Sequence, residues 1–267
     1  MRPAAALLPI LLSLLPLPAL ACGPDTDCPV GERSYRLYLP EGLEGKEIGA
    51  LVFAHGYRGT AAGVMKNMAF RALADDLGVA LIALQAAGED WQLAHTPRAP
   101  DREEALEYDY VRAVLEDAGQ RLHLDPARTV ATGFSAGGMM TWTLACGMSE
   151  SFAGFVPMSG TFWAPVPGTC TTPPASVVHI HGTEDTTVPL GGRPIGPARQ
   201  GDVPETLAMY SAYGDFTPTG QHDGPDGMSC RRSTNPAGRM LEFCTFPGGH
   251  SFSTLRLGYA YRRILGE

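Results

Sequence analysis

Basic residues are in short supply in this chain: 20 Lys and Arg stand against 28 Asp and Glu, for a net charge of −8. A deficit of that sign excludes an electropositive face for nucleic acid, so no nucleic-acid partner is expected. Low-complexity tracts are missing, which argues against disorder, and no internal repeat or linker divides the chain. No apolar run is both long and unbroken enough to serve as a stable membrane span. Leu7–Leu20 comes nearest, and Pro9, Pro16 and Pro18 interrupt it. Metal-ligand clusters are also wanting: His179 and His181 share one face of a strand, but no third His or Cys follows at a useful spacing, so no metal is expected.

What is present begins with an export signal. Met1-Arg2 is a short basic start, Leu7–Leu20 is apolar, and Ala19-Leu20-Ala21 is a small-residue cleavage site. Residues 1–21 are therefore expected to be a signal peptide, and 22–267 a single domain in a secreted or periplasmic protein, expected to be a monomer. Six cysteines suit an oxidising compartment. Fifteen pairings are open, and loop lengths favour Cys22–Cys28, Cys146–Cys170 and Cys230–Cys244. Cys22 directly after the cleavage site could instead carry a lipid, although Ala19 stands where lipoprotein signals have an aliphatic residue.

The mature chain alternates between two kinds of pattern. Ser34–Pro40 alternates, with Tyr35, Leu37 and Leu39 on one face, and reads as a first, antiparallel-type strand. Ile48–Ala54 is a continuous apolar run of the kind buried on both faces of a parallel sheet, Val79–Leu84 reads as another buried strand, and Gly154–Met158 and Val177–Ile180 are short and strand-like. Between them, Met65, Met68, Ala69, Ala72 and Leu73 have helical spacing, as do Leu106, Tyr110, Ala113 and Val114 in a helix expected over 102–122. Further helices are expected over 203–214 and 252–265, and a disulfide-closed strand or hairpin over 230–244. Alternating strands and helices give a mostly parallel sheet with helices on both faces. With 32 glycines and 23 prolines, long ordered loops join these elements.

One stretch carries chemistry. The β-branched run Thr129, Val130, Thr132 stops at Gly133-Phe134-Ser135-Ala136-Gly137 and continues into a small-residue helix. This strand–serine–helix pattern is a nucleophile elbow, in which a side chain at 133 or 137 would collide with the neighbouring strand or helix. A serine hydroxyl needs a base, and the base needs an acid. Asp185 follows the second strand after the elbow, and His250 lies on a glycine-hinged loop after the last strand, in the order acid then histidine. Glu184 is the neighbouring carboxylate, whose side chain should point elsewhere. Two backbone N–H groups must meet the developing oxyanion. Ala136, after the nucleophile, is assigned one, and Tyr57, after His55-Gly56, the other. Trp91, in the long loop 85–101, is a candidate substrate wall or an ordinary packing residue. The remaining histidines (His55, His95, His123, His222) read as structural or exposed.

These stretches resemble the α/β-hydrolase family that contains secreted poly(3-hydroxybutyrate) depolymerases and feruloyl esterases. The likeness is carried by Ser34–Pro40, Leu51–Gly56, Leu124–Met140, Leu144–Cys146, His179–Pro189 and Gly248–Ser251, in family order along nearly the whole mature chain. It implies an α/β-hydrolase fold and a Ser135–His250–Asp185 triad acting on a small-molecule or polymeric ester, with no cofactor. Tyr57, Ala136 and Phe252 depart from the residues common at those positions, and the chain has no room for the linker and separate binding domain of polymer-degrading members. A serine peptidase of the same fold and a non-catalytic binding protein on this scaffold are the alternatives. A histidine base predicts activity that falls below roughly pH 6 to 7, where a free imidazole takes up a proton.

Overall fold

The computed structural model describes residues 22–98 and 105–267; the expected signal peptide lies outside them. A ten-stranded sheet runs through the molecule in the order β1-β2-β4-β3-β5-β6-β7-β12-β11-β10. Its centre is parallel: β4 (Ala80–Leu84), β3 (Glu47–Ala54), β5 (His123–Phe134), β6 (Gly154–Met158), β7 (Ser176–Gly182) and β12 (Met240–Phe246). Antiparallel strands flank it, with β1 (Cys28–Val30) and β2 (Arg33–Tyr38) at one edge and β11 (Ser229–Thr234) and β10 (Thr217–Asp223) at the other. A separate two-residue hairpin pairs β8 (Pro194–Ile195) with β9 (Ala198–Arg199).

The apolar runs become strands because both sheet faces are covered. Ala50, Val52 and Ala54 of β3 enter one core, while Leu51 and Phe53 enter the other. The first core lies under α3 (Ala105–Arg121), α4 (Ala136–Gly147) and α5 (Val203–Tyr213), through Tyr110, Val111, Trp142 and Tyr210. The second lies under α1 (Ala61–Lys66), α2 (Met68–Leu77) and α6 (Thr254–Leu265), through Met65, Phe70, Leu73 and Leu257. Two sequence readings need correction. The helix expected through Met65–Leu73 is two helices, because Asn67 leaves helical geometry and its side chain caps α2 by accepting from the Ala69 amide. Met68, counted on the buried face, is exposed, and Phe70 takes the interior place, stacked on Phe252 at 4.8 Å. On α3, Leu106 faces solvent and Glu107 is buried instead, because Arg33 donates to it at 2.8 Å and the Gln92 amide at 2.7 Å.

The expected disulfides are the ones formed: Cys22–Cys28, Cys146–Cys170 and Cys230–Cys244. The first engages the Cys22 sulfur. The last joins directly opposed residues of β11 and β12. No helix among the described residues is long and apolar enough to cross a membrane.

Candidate active site

Ser135 stands between β5 and α4 with φ 60° and ψ −120°. A positive φ is costly for a residue with a side chain and persists only where the surroundings impose it. They do so here. The Ser135 amide donates to the Met158 carbonyl at the end of β6 (2.9 Å), and its carbonyl accepts from Met139 in α4 (3.0 Å). Strand and helix approach so closely that a Cβ on Gly133 would overlap the Gly137 backbone, and one on Gly137 would overlap the Ala54 carbonyl of β3. The collision expected from the sequence is therefore the reason for both glycines.

The acid and the histidine arrive from the next strands. β7 is buried along its whole length and delivers Asp185 into the interior, while Glu184 faces solvent. Asp185 Oδ1 accepts from the Thr187 and Val188 amides, both at 2.8 Å, which closes a tight turn. Its Oδ2 accepts from His250 Nδ1 at 2.7 Å. Burial alone would push this carboxyl up. Hydrogen bonds from His181, His250 and the Val188 amide outweigh it and hold the group well below the usual carboxylate range. The two loops are laced together, since Thr183 N donates to Phe246 O and Glu184 N to Gly248 O, both at 2.9 Å. The His250 ring packs on Phe134, the residue before Ser135, with centroids 4.5 Å apart. Ser135 and His250 make no hydrogen bond with each other among the described residues; catalytic hydrogen bonds are often long or misaligned before substrate binds.

The loop after β3 closes the other side. His55 is buried; its Nε2 accepts from the Ala86 amide (3.2 Å) and its Nδ1 donates to the Gly56 carbonyl (2.8 Å). Burial lowers its pKa, so the ring is a neutral bracket. The loop lies against the elbow, for a Cβ built on Gly56 would stand 3.5 Å from Ser135 Cβ. The Tyr57 amide makes no hydrogen bond among the described residues. Ala136, as the first residue of α4, has no intrahelical acceptor for its own amide. Both N–H groups are free to point at an oxyanion, and the positive end of the α4 dipole favours negative charge there.

A cleft of about 600 Å³ opens over Ser135, with Ala136, Tyr57, Trp91, Trp163 and Arg193 among its walls. Trp91 lines the cleft and is also almost wholly buried, with its indole N–H donated to the His55 carbonyl at 2.8 Å, so it braces the loop that carries Tyr57. Trp163 and Arg193 were not foreseen. Both lie in connections after β6 and β7 whose course no periodicity dictates; Arg193 is held by a bond from its Nε to the Thr187 carbonyl. Asp90, also in the wall, has its carboxyl pushed up by burial. His222, Cys230 and Glu242 lie together at metal-binding distances, but the sulfur belongs to a disulfide and is not available as a thiolate.

Comparison with known proteins bears on the fold and the class of activity. A family model described as phospholipase/carboxylesterase matches residues 107–194. The protein NocK of Nocardia uniformis subsp. tsuyamanensis, described as an esterase, is 30% identical over 82% of this chain and 70% of its own length. Feruloyl esterase C of Emericella nidulans is 29% identical over 56% of this chain, and the match spans about half (52%) of that enzyme. Among solved structures, the acetyl xylan esterase from Aspergillus awamori superposes with a TM-score of 0.64 at 15% identity, covering 94% of this chain and 97% of that one. The Bacillus cereus carboxylesterase superposes at 0.59 with 14% identity, over 88% of this chain and 95% of that one. The chain belongs to the α/β-hydrolase family of esterases.

Proposed function

We propose that this esterase is exported, with residues 1–21 as its signal peptide, and works through an acyl-enzyme on Ser135. Ser135 Oγ attacks the ester carbonyl while His250 Nε2 takes its proton. Asp185 holds the imidazole through Nδ1 and balances the positive charge that forms on the ring. The Tyr57 and Ala136 amides receive the oxyanion. Collapse of the tetrahedral intermediate expels the alcohol, protonated by His250, and water activated by the same residue then releases the acid. The observation that carries this reading is the pairing of a strained, positive-φ serine in the cleft with a buried aspartate–histidine bond of 2.7 Å, whose imidazole packs on the residue before that serine. Three disulfides fit an oxidising compartment.

The cleft also favours a class of substrate. Tyr57, Trp91 and Trp163 set three aromatic rings among its walls, which suits a flat aromatic acyl group such as a hydroxycinnamoyl better than a bulky aliphatic chain. Relatives described as feruloyl esterases point the same way. Ser135→Ala should abolish hydrolysis of p-nitrophenyl acetate and methyl ferulate with little change in Tm, and retained turnover would sink the assignment. Rates should then be compared on methyl ferulate, acetylated xylan, a hydroxybutyrate polymer suspension and p-nitrophenyl esters of increasing length. The highest kcat/KM is expected on the feruloyl ester; rapid attack on the polymer with none on methyl ferulate would replace this substrate class with a depolymerase.

A further inference from the structure

Behind Asp185 lie two histidines that the reaction as written does not use. His179 and His181, both on β7, are fully buried. Trp142 Nε1 meets His179 Nδ1 at 3.1 Å, His179 Nε2 meets His181 Nδ1 at 3.0 Å, and His181 Nε2 meets the Val188 carbonyl at 2.8 Å. Asp185 Oδ2 is a second, weaker acceptor 3.5 Å from the same His181 nitrogen.

The direction of every proton in this row follows from its two ends. An indole N–H can only donate, so His179 Nδ1 is bare and its Nε2 carries the hydrogen. A carbonyl can only accept, so His181 Nε2 carries a hydrogen and its Nδ1 is bare. The two deductions, made from opposite ends, agree at the central bond: His179 Nε2–H donates to His181 Nδ1. A second proton on either ring would set two N–H groups against each other, so both rings are neutral, as full burial of His179 also requires. No ring nitrogen of the pair is left over for a metal.

The row has a destination. Val188, whose carbonyl accepts from His181 Nε2–H, is also the residue whose amide donates to Asp185 Oδ1. His181 therefore clamps the turn that aims the Asp185 carboxylate at His250. The other end of the row is anchored on α4, the helix that begins after Ser135, so it ties the nucleophile's helix to the acid's loop through the interior.

We propose that His181 is a positioning residue for the esterase reaction, oriented by His179 and Trp142, and that it sets the Asp185 carboxylate for its bond to His250. This rests on the Ser135–His250–Asp185 reading above. A leucine at 181 fills similar space but has no N–H, whereas a glutamine can return an N–H toward Val188 and Asp185.

The test uses the full mature chain and p-nitrophenyl acetate, with His181→Leu, His181→Gln, Trp142→Phe and Ser135→Ala compared by kcat, KM, Tm and the far-downfield proton resonance of His250 Nδ1–H. His181→Leu should lower kcat by about tenfold or more, as small misplacement of a catalytic group does, with KM within about twofold and the His250 resonance moved or lost. His181→Gln should recover most of kcat. Trp142→Phe releases the fixed tautomers from the far end and should reduce kcat at unchanged KM; it carries the test alone if the Leu variant does not fold. A folded His181→Leu or Trp142→Phe enzyme with wild-type kcat and an unmoved resonance overturns the inference, as do equal losses in Leu and Gln variants that merely follow Tm. Turnover surviving in Ser135→Ala would instead overturn the triad itself, which keeps the two failures apart.

Discussion

Replacing Asp185 with asparagine changes one atom and should remove nearly all activity, for a reason that can be worked out bond by bond. The native carboxylate accepts four donors: the Thr187 and Val188 amides on Oδ1 and the His250 and His181 nitrogens on Oδ2. An asparagine must place one oxygen and one NH2 in that ring of donors. If the NH2 faced Thr187 and Val188, two amides would lose their acceptor, at about 1–3 kcal/mol each. The oxygen therefore stays with the amides, and the NH2 faces His250 Nδ1. That nitrogen must then accept, which moves the imidazole proton to Nε2, the side that should receive the serine proton. The wrong tautomer in a serine triad costs about 10⁴ in kcat, or roughly 5.5 kcal/mol of transition-state stabilisation. KM should change little, and so should Tm, because the turn keeps both amide bonds. The assay is hydrolysis of p-nitrophenyl acetate alongside a thermal melt. An asparagine variant retaining kcat within tenfold of wild type, with the fold intact, would refute both the tautomer argument and the role of Asp185.

Other consequences are as direct. Gly137→Ala puts a methyl group into the Ala54 and His55 carbonyls, which are backbone and have little room to yield; it should destabilise by about 1–3 kcal/mol and, by displacing the loop that carries Tyr57, lower kcat by about a hundredfold, whereas wild-type Tm and rate would show that the contact is not tight. His55 and His179 both have their pKa lowered by burial, so the unfolded chain binds protons that the folded one refuses once pH falls below about 6.5. Stability should be full above that pH and decline below it by up to about 1.4 kcal/mol per unit for each histidine, with a further loss at lower pH as Asp185 is protonated; a Tm flat between pH 7.5 and 5 would contradict this. Removing the Cys146–Cys170 bond, which spans 24 residues and ties the end of α4 to the segment before β7, should cost roughly 3 kcal/mol in a urea titration while leaving turnover at 25 °C near normal.

The parts of the fold that were legible in advance are those where a local pattern has a single physical solution. β3 and β4 are continuous apolar runs because both of their faces are covered, and such runs stand out whatever surrounds them. The edge opposite β1 was less legible. β10 is almost wholly exposed and carries Pro218 and Gly220, so nothing in its composition distinguishes it from a loop until β11 pairs with it. The break between α1 and α2 was hidden because apolar spacing continues through it, and only the capping bonds of Asn67 reveal it.

By itself the sequence pointed to the alternation of strands and helices and to the elbow, each written in residues adjacent along the chain, and it offered Ser135, Asp185 and His250 as candidates in that order. It also flagged Gly133 and Gly137 as positions where a side chain would collide. Only the tertiary structure decided which side chains meet: that His250 reaches Asp185 rather than Glu184, that Trp163 and Arg193 enter the cleft, and that His179 and His181 form a one-way row of hydrogen bonds ending at the Asp185 turn. The reason is physical. Backbone pattern is set by local sterics and burial, whereas these contacts join β5, β7, β12 and the loops after them, and their distances exist only once the sheet has brought those ends together.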